Sequence, residues 1–185
     1  MRNGLHPPAL WPLTRLLGDR AEPRFERRIG RLEIRRIAPR VEARTDVDVD
    51  DFEAALEIGC QRLLAYVQGG NRGGEEIATG VPVTATHRLG FTVGFAMPAG
   101  RKRPSLPAAD DDRISLCDAR GLRVAVLRLR GRYDADNVGA GESELLRRVA
   151  DAGLSPVGPI VFAGYDPPTT LPILRRNELW VEIER

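Results

Sequence analysis

The sequence predicts an α+β fold in which two β-α-β-β units pair into one antiparallel, barrel-like, eight-stranded sheet with two flanking helices. Apolar residues change from alternating to helical spacing and back twice along the chain, which indicates two copies of one element order. Both helical runs end at glycine, at Gly69-Gly70 and at Gly153, as helices commonly do. A chain of 185 residues suits one domain that buries roughly 70% of its unfolded surface. We expect an N-terminal extension at 1–20 and a domain at 21–185, with pseudo-repeats at about 31–97 and 112–185.

The first unit begins with a strand region in which Pro39 indicates a bulge or an edge position. Asp50 and Glu53 form a capping pair, and apolar residues then recur at helical spacing as far as Val67. The predicted elements are a strand region at 31–45, a helix at about 51–68, and strands at 77–86 and 89–97.

The second unit repeats this order. Along its second strand, Leu122, Val124 and Val126 alternate with residues that face the other way. The composition of residues 98–112 is typical of a loop, which we interpret as a solvated linker or a partner site. The predicted elements are a short lead strand at 113–116, a strand at 122–130, a helix at 135–152, and strands at 157–165 and 177–183.

Composition and charge exclude several classes of protein. A net charge of +2, with acidic residues scattered wherever arginine occurs, argues against a nucleic-acid partner. The chain contains no apolar run of about 18 residues and no signal peptide, so we expect no membrane partner. Cys60 and Cys117 fit neither a disulfide framework nor a metal-binding spacing. We therefore expect a monomeric cytoplasmic protein with free thiols.

A proline-rich loop precedes the last strand, and we call residues 165–176 the lip. Its prolines fix the backbone and remove hydrogen-bond donors, so the lip cannot join the sheet and stands beside it. Stiff loops at the edge of a scaffold are common sites of ligand binding. The lip is therefore the first candidate for a ligand site.

Four motif-like stretches follow one another along the chain. They are Glu22-Pro23-Arg24-Phe25-Glu26 with Leu32-Glu33-Ile34-Arg35-Arg36; Tyr66-Val67-Gln68-Gly69-Gly70-Asn71 with Ile77 to Thr84; Phe95-Ala96-Met97-Pro98; and Tyr165-Asp166-Pro167-Pro168 with Arg175-Arg176-Asn177-Glu178-Leu179-Trp180. In this order they resemble the motifs of the SOUL family, also called the heme-binding protein family. They cover about residues 20 to 185, and four ordered motifs are far more specific than one. The resemblance implies a bacterial member that holds heme for transport or buffering.

The resemblance implies that heme or another tetrapyrrole lies non-covalently between the first helix and the lip. Arg175 and Arg176 are the candidate propionate ligands, but alternate residues of a strand face opposite ways, so we expect at most one to face the ligand. The helix has Glu57 and Ala65 where relatives carry basic residues, which weakens the expected propionate binding. The apolar contacts carried over from the family are Cys60, Leu64, Val67, Tyr165, Pro168 and Leu174.

The sequence predicts no firm metal ligand. His6 lies in the extension and His87 near a turn, so neither belongs to the helix or the lip. Met97 fits a core position. If iron is coordinated, the choice is between a ligand-poor mode and Cys60 as a thiolate.

Two other functions remain open. Glu178 could act as a general acid or base in a hydrolase or binder of small hydrophobic compounds, although it could equally hold the last strand to the loop before it. The chain could also be a ligand-free module for protein interaction.

Overall fold

The computed structural model describes residues 23–78, 82–88, 90–166, 170–171 and 174–184. Strands and helices there follow the predicted order, with a short 3-10 turn at Arg103–Ser105. No helix within these ranges is long and apolar enough to cross a membrane. The elements are β1 Arg24–Ile29, β2 Leu32–Ile37, β3 Arg40–Val47, α1 Phe52–Val67, β4 Val83–Arg88, β5 Gly90–Ala96, β6 Ile114–Ala119, β7 Leu122–Leu129, α2 Ala135–Asp151, β8 Pro156–Gly164 and β9 Asn177–Ile183.

The described strands form one antiparallel sheet in the order β1-β2-β7-β9-β8-β4-β5-β3-β6. β2 and β3 lie near opposite ends of this order, yet only Ala38 and Pro39 separate them. β6 and β7 are likewise separated only by Arg120 and Gly121. Connections this short bring the two ends of the sheet together, and a Cβ on Gly121 would lie 3.2 Å from Pro39 Cδ. The sheet is therefore curled like a barrel, although it is not closed.

The duplicated organisation is confirmed. β3 pairs with β5 as β7 pairs with β9, and β4 and β8 pair with each other at the centre of the sheet. The strand count was wrong, because the described residues form nine strands and not eight. The predicted strand region 31–45 is two strands that diverge at Pro39, and the strand expected from residue 77 begins at Val83.

Local side chains fix the helix ends. Asp51, and not the predicted Asp50, caps α1, since its Oδ1 accepts a 2.7 Å hydrogen bond from the amide of Ala54. Asp134 caps α2 in the same way through the amide of Asn137 at 2.9 Å. Both helices therefore begin at an aspartate in extended conformation.

A glycine lets each helix approach the sheet closely. A Cβ on Gly59 of α1 would lie 2.5 Å from Val93 Cβ. A Cβ on Gly141 of α2 would lie 2.7 Å from Leu129 Cδ1 and from Leu179 Cδ1. The main core lies between these helices and one face of the sheet.

The linker at 98–112 is partly packed, which corrects the solvated interpretation. Leu106 is buried in the main core, and the hydroxyl of Tyr66 donates a 2.9 Å hydrogen bond to the carbonyl of Pro107. The Arg101 guanidinium pairs with Glu75 at 2.8 Å. The connection between the two units is therefore held against the end of α1.

The two faces of the sheet differ. On β9, Leu179 and Val181 pack toward the helices, whereas Trp180 belongs to a smaller cluster on the opposite face. We call that opposite face, which is enclosed by the curled sheet, the inner face. It carries the apolar cluster Ile37, Val124, Val126, Ala163 and Trp180.

Candidate functional site

The three predicted contacts on α1 lie inside the main core. Cys60, Leu64 and Val67 are 9%, 4% and 1% exposed. Burial raises the pKa of the Cys60 thiol to about 12, so the thiol keeps its proton at neutral pH. These side chains pack in the core beneath α1 and expose little area that a ligand could contact.

The lip places large apolar side chains in water. Leu171 and Leu174 are 64% and 65% exposed, while Pro168 lies outside the described residues. Leucine is normally buried, and two exposed leucines three residues apart form an apolar surface that a ligand could cover.

The two arginines of the lip lie against different tyrosines. The Arg175 guanidinium lies 4.9 Å from the ring centre of Tyr133, and its Nε donates a 2.7 Å hydrogen bond to the carbonyl of Thr170. The Arg176 guanidinium lies 5.7 Å from the ring centre of Tyr165 and pairs with Asp166 at 3.1 Å. Arg176 therefore has a carboxylate partner inside the lip.

Tyr133 joins the lip to α1, and the sequence analysis did not identify it. Its half-buried ring lies 6.0 Å from that of Phe162, which in turn lies 5.1 Å from Phe52 at the start of α1. Burial raises the pKa of Tyr133, the Arg175 cation opposes this shift, and the charge of Glu57 adds to it. A residue just before a helix N-cap commonly packs on that helix, here α2, so the sequence position of Tyr133 did not indicate its contact with the lip.

The carboxylate of Glu178 is buried on the inner face and fully engaged. Its oxygens accept hydrogen bonds from Arg35 at 2.9 and 3.0 Å, from the Tyr165 hydroxyl at 2.9 Å and from Trp180 Nε1 at 2.9 Å. Burial, reinforced by the charge of Glu178, raises the pKa of Tyr165. Arg35 balances the charge of Glu178, a pairing that the sequence did not reveal. These contacts fit the structural alternative, in which Glu178 holds the last strand to Tyr165 at the start of the lip.

His87 and Met97 lie outside both α1 and the lip. His87 is exposed on β4 with its ring 4.7 Å from that of Phe91, and His6 lies outside the described residues. Met97 is 5% exposed in the main core. Within the described part of the chain, no group of three or more His, Cys, Asp or Glu side chains could hold a metal ion.

Comparison with known families gives one match. The model of the SOUL family, described as SOUL heme-binding protein, matches residues 21–182. Among curated protein sequences, none matches this chain.

Several solved structures share the architecture. The C-terminal domain of EcmrR has a TM-score of 0.61 at 13% identity, with 87% of this chain and 98% of that chain covered. SAV2435 bound to tetraphenylphosphonium has a TM-score of 0.52 at 13% identity, covering 83% and 93%. A hydrolase from Listeria innocua has a TM-score of 0.54 at 13% identity, covering 82% and 91%. Likeness at this level of identity shows the fold alone.

Proposed function

This chain belongs to the SOUL heme-binding protein family, and on that premise we propose that it binds heme or a related tetrapyrrole non-covalently between α1 and the lip. Its role is then heme transport or buffering in the cytoplasm. The observation that supports this location is the contact of Tyr133 with Arg175. Arg175 follows the exposed Leu174 in the lip, and the Tyr133 ring lies near Phe162, which contacts Phe52 at the start of α1.

The side chains at this place match the two chemical parts of heme. The macrocycle is flat and apolar, and Leu171 and Leu174 expose apolar area that it would remove from water. The ring of Tyr133 can stack on a flat ligand. The Arg175 guanidinium carries a positive charge that attracts a propionate carboxylate. Bound heme supplies an iron centre, while the chain covers the macrocycle and holds one carboxylate.

The same geometry favours reversible binding. Arg176 already pairs with Asp166, and Glu57 on the exposed side of α1 repels a carboxylate. One propionate therefore lacks a basic partner and points to water. The protonated Cys60 thiol is a poor iron ligand, since the thiolate is the form that coordinates metal. A heme held by apolar contact and one ion pair can be passed on, which suits transport or buffering.

A hemin titration of the purified protein, followed at the Soret band, tests this function. We expect saturable one-to-one binding that Leu174→Glu weakens by about tenfold, because a charge replaces an apolar contact. Leu174 is better suited to this substitution than the buried Leu64, whose replacement by glutamate would disrupt the core. Leu146→Glu is the matched control, since Leu146 is exposed on α2. Lack of a saturable shift at micromolar hemin would contradict the function, and equal loss in both variants would contradict the location.

The hydrolase alternative gains no support from the position of Glu178. A general base needs a free lone pair within reach of its substrate. Glu178 is 5% exposed, and Arg35, Tyr165 and Trp180 all donate to it. The geometry therefore favours a structural role for this carboxylate.

A further inference from the structure

A cavity lies on the inner face of the sheet, on the side opposite to α1. Its volume is about 640 Å³, within the range typical of sites for small organic molecules. Its walls come from β3 to β9 and from the connection between β6 and β7. Its lining includes charged side chains and apolar ones, among them Arg40, Glu42, Arg44, Leu122, Val161 and Glu182.

One wall of this cavity is apolar and rigid. Leu122 on β7 and Val161 on β8 line it and are only partly buried. Val161 lies across from Trp180, whose Nε1 donates to Glu178, so the buried indole ring is fixed in orientation. A flat apolar ligand would find a preformed surface at Leu122 and Val161, with no side chain to reorder.

The charged residues of the opposite wall do not balance. Arg40 and Arg44 both pair with the single carboxylate of Glu42, which leaves one positive charge in excess. Two further carboxylates of the lining do not supply the missing charge. Arg120 takes both oxygens of Glu182 at 2.7 and 2.6 Å, and Arg103 pairs with Asp118 at 2.9 Å. The wall beside Arg40 is therefore positive.

One nitrogen of Arg40 has no hydrogen-bond acceptor in the described part of the chain. Its Nη2 pairs with Glu42, but its Nη1 is buried without an acceptor among the described residues. A buried donor without a partner is unfavourable, and an acceptor brought by a ligand would relieve that cost. An anionic acceptor such as a carboxylate or sulfonate suits this donor in particular, because a hydrogen bond between two charged groups is stronger than one between neutral groups.

The distribution of charge along β3 orients such a ligand. Asp46 lies at the other end of the strand, up to about 20 Å from Arg40 along an extended backbone. Asp46 Oδ1 accepts a 2.6 Å hydrogen bond from Thr92 and has no salt-bridge partner among the described side chains. A ligand anion is therefore attracted toward Arg40 and repelled from the Asp46 end.

We propose that the inner cavity is a binding site for a small amphipathic organic acid. Its ring or chain packs on Leu122 and Val161, and its carboxylate or sulfonate accepts a hydrogen bond from Arg40 Nη1. This site is separate from the proposed heme site, because the sheet lies between the inner face and α1. The protein can then hold two ligands at once.

Two fluorescent probes that differ in charge test the proposal. Anilinonaphthalene sulfonate carries an apolar ring system and an anion, and N-phenylnaphthylamine is its uncharged counterpart. We expect one-to-one binding of the sulfonate, weakened by about tenfold in Arg40→Gln, while binding of the uncharged probe changes little. Thr86→Trp, which fills the cavity from β4, weakens binding of both probes. Arg113→Gln removes an exposed arginine outside the cavity and leaves both affinities unchanged.

The same titrations separate this site from the heme site. Saturation with hemin leaves binding of the sulfonate unchanged if the two sites are independent. If Arg40→Gln or Thr86→Trp has no effect, or if one equivalent of hemin displaces the probe, the proposal is overturned. Urea unfolding of each variant confirms that it is folded before its affinity is compared.

Discussion

Arg35 and Glu178, which are 143 residues apart in the sequence, form a two-point ion pair on the inner face. The Arg35 Nη1 and Nη2 atoms lie 2.9 and 3.0 Å from the Glu178 carboxylate oxygens. The strands that carry them, β2 and β9, are not neighbours, because β7 lies between them. The pair therefore ties the N-terminal hairpin to the strand that follows the lip.

Glu178→Gln should destabilise the protein by about 2–4 kcal/mol, because it leaves the Arg35 charge buried with only Glu33 as a carboxylate partner. Urea unfolding at neutral pH measures the change. Glu144→Gln, which removes a more exposed partner of Arg147, is the control and should change stability little. Equal effects of the two substitutions would show that the buried pair contributes no more than a surface one.

Gly59→Ala should destabilise the protein by about 1–3 kcal/mol, because the new methyl group would overlap the Val93 side chain where α1 meets β5. Gly139→Ala is the control on α2, where an added Cβ meets nothing within 4 Å. Alanine is the better helix former, so that substitution should stabilise by roughly 0.5–1 kcal/mol. Thermal unfolding of both variants checks the difference in sign, and a shared sign would contradict the close approach of α1.

The Cys60 thiol should resist alkylation in the native state, because burial raises its pKa to about 12 from a reference of 9.0. The unfolded state releases this proton above pH 9.0 while the native state keeps it, so this group makes stability fall as pH rises from 9.0 toward 12. Iodoacetamide labelling followed by mass spectrometry measures the reactivity. Cys117, which is less buried, should be labelled first. Fast labelling of Cys60 in a folded Cys117→Ser variant would contradict the expectation.

Arg175→Gln should weaken hemin binding by about threefold to tenfold, since it removes the cation proposed to hold a propionate. Arg176→Gln is the matched control, because Arg176 pairs with Asp166 and lies against the other tyrosine. Soret titrations of both variants give the two affinities. A larger loss of hemin affinity in Arg176→Gln than in Arg175→Gln would show that Arg176, and not Arg175, holds the propionate.

The sequence predicted the fold correctly where the prediction depends on residues close together in the chain. Alternation along β9 predicts which side chains share a face, and the glycines after each helix predict where the helices end. The turn at Pro39 was harder to interpret, because a proline between two apolar runs fits a bulge as well as a change of direction. The pairing of β2 with β7 and of β3 with β6 shows that the chain changes direction at Pro39.

The sequence predicted less of the candidate site, because the site depends on contacts between residues that are far apart in the chain. Tyr133 reaches the lip because β7 ends at Leu129 opposite Asn177, which follows the lip at the start of β9. The ion pair of Arg35 with Glu178 depends on the register of two strands with a third between them. The family resemblance implied that Cys60 and Leu64 contact the ligand, but both are buried in the main core.

Locating bound iron tests the central claim most directly. Crystals of the hemin complex, measured at the iron absorption edge, would give an anomalous difference peak at the metal. We predict one peak per chain between α1 and the lip, beside Tyr133 and Arg175. A peak in the inner cavity beside Trp180, or no ordered iron in a complex that binds one hemin per chain, would contradict the proposed site.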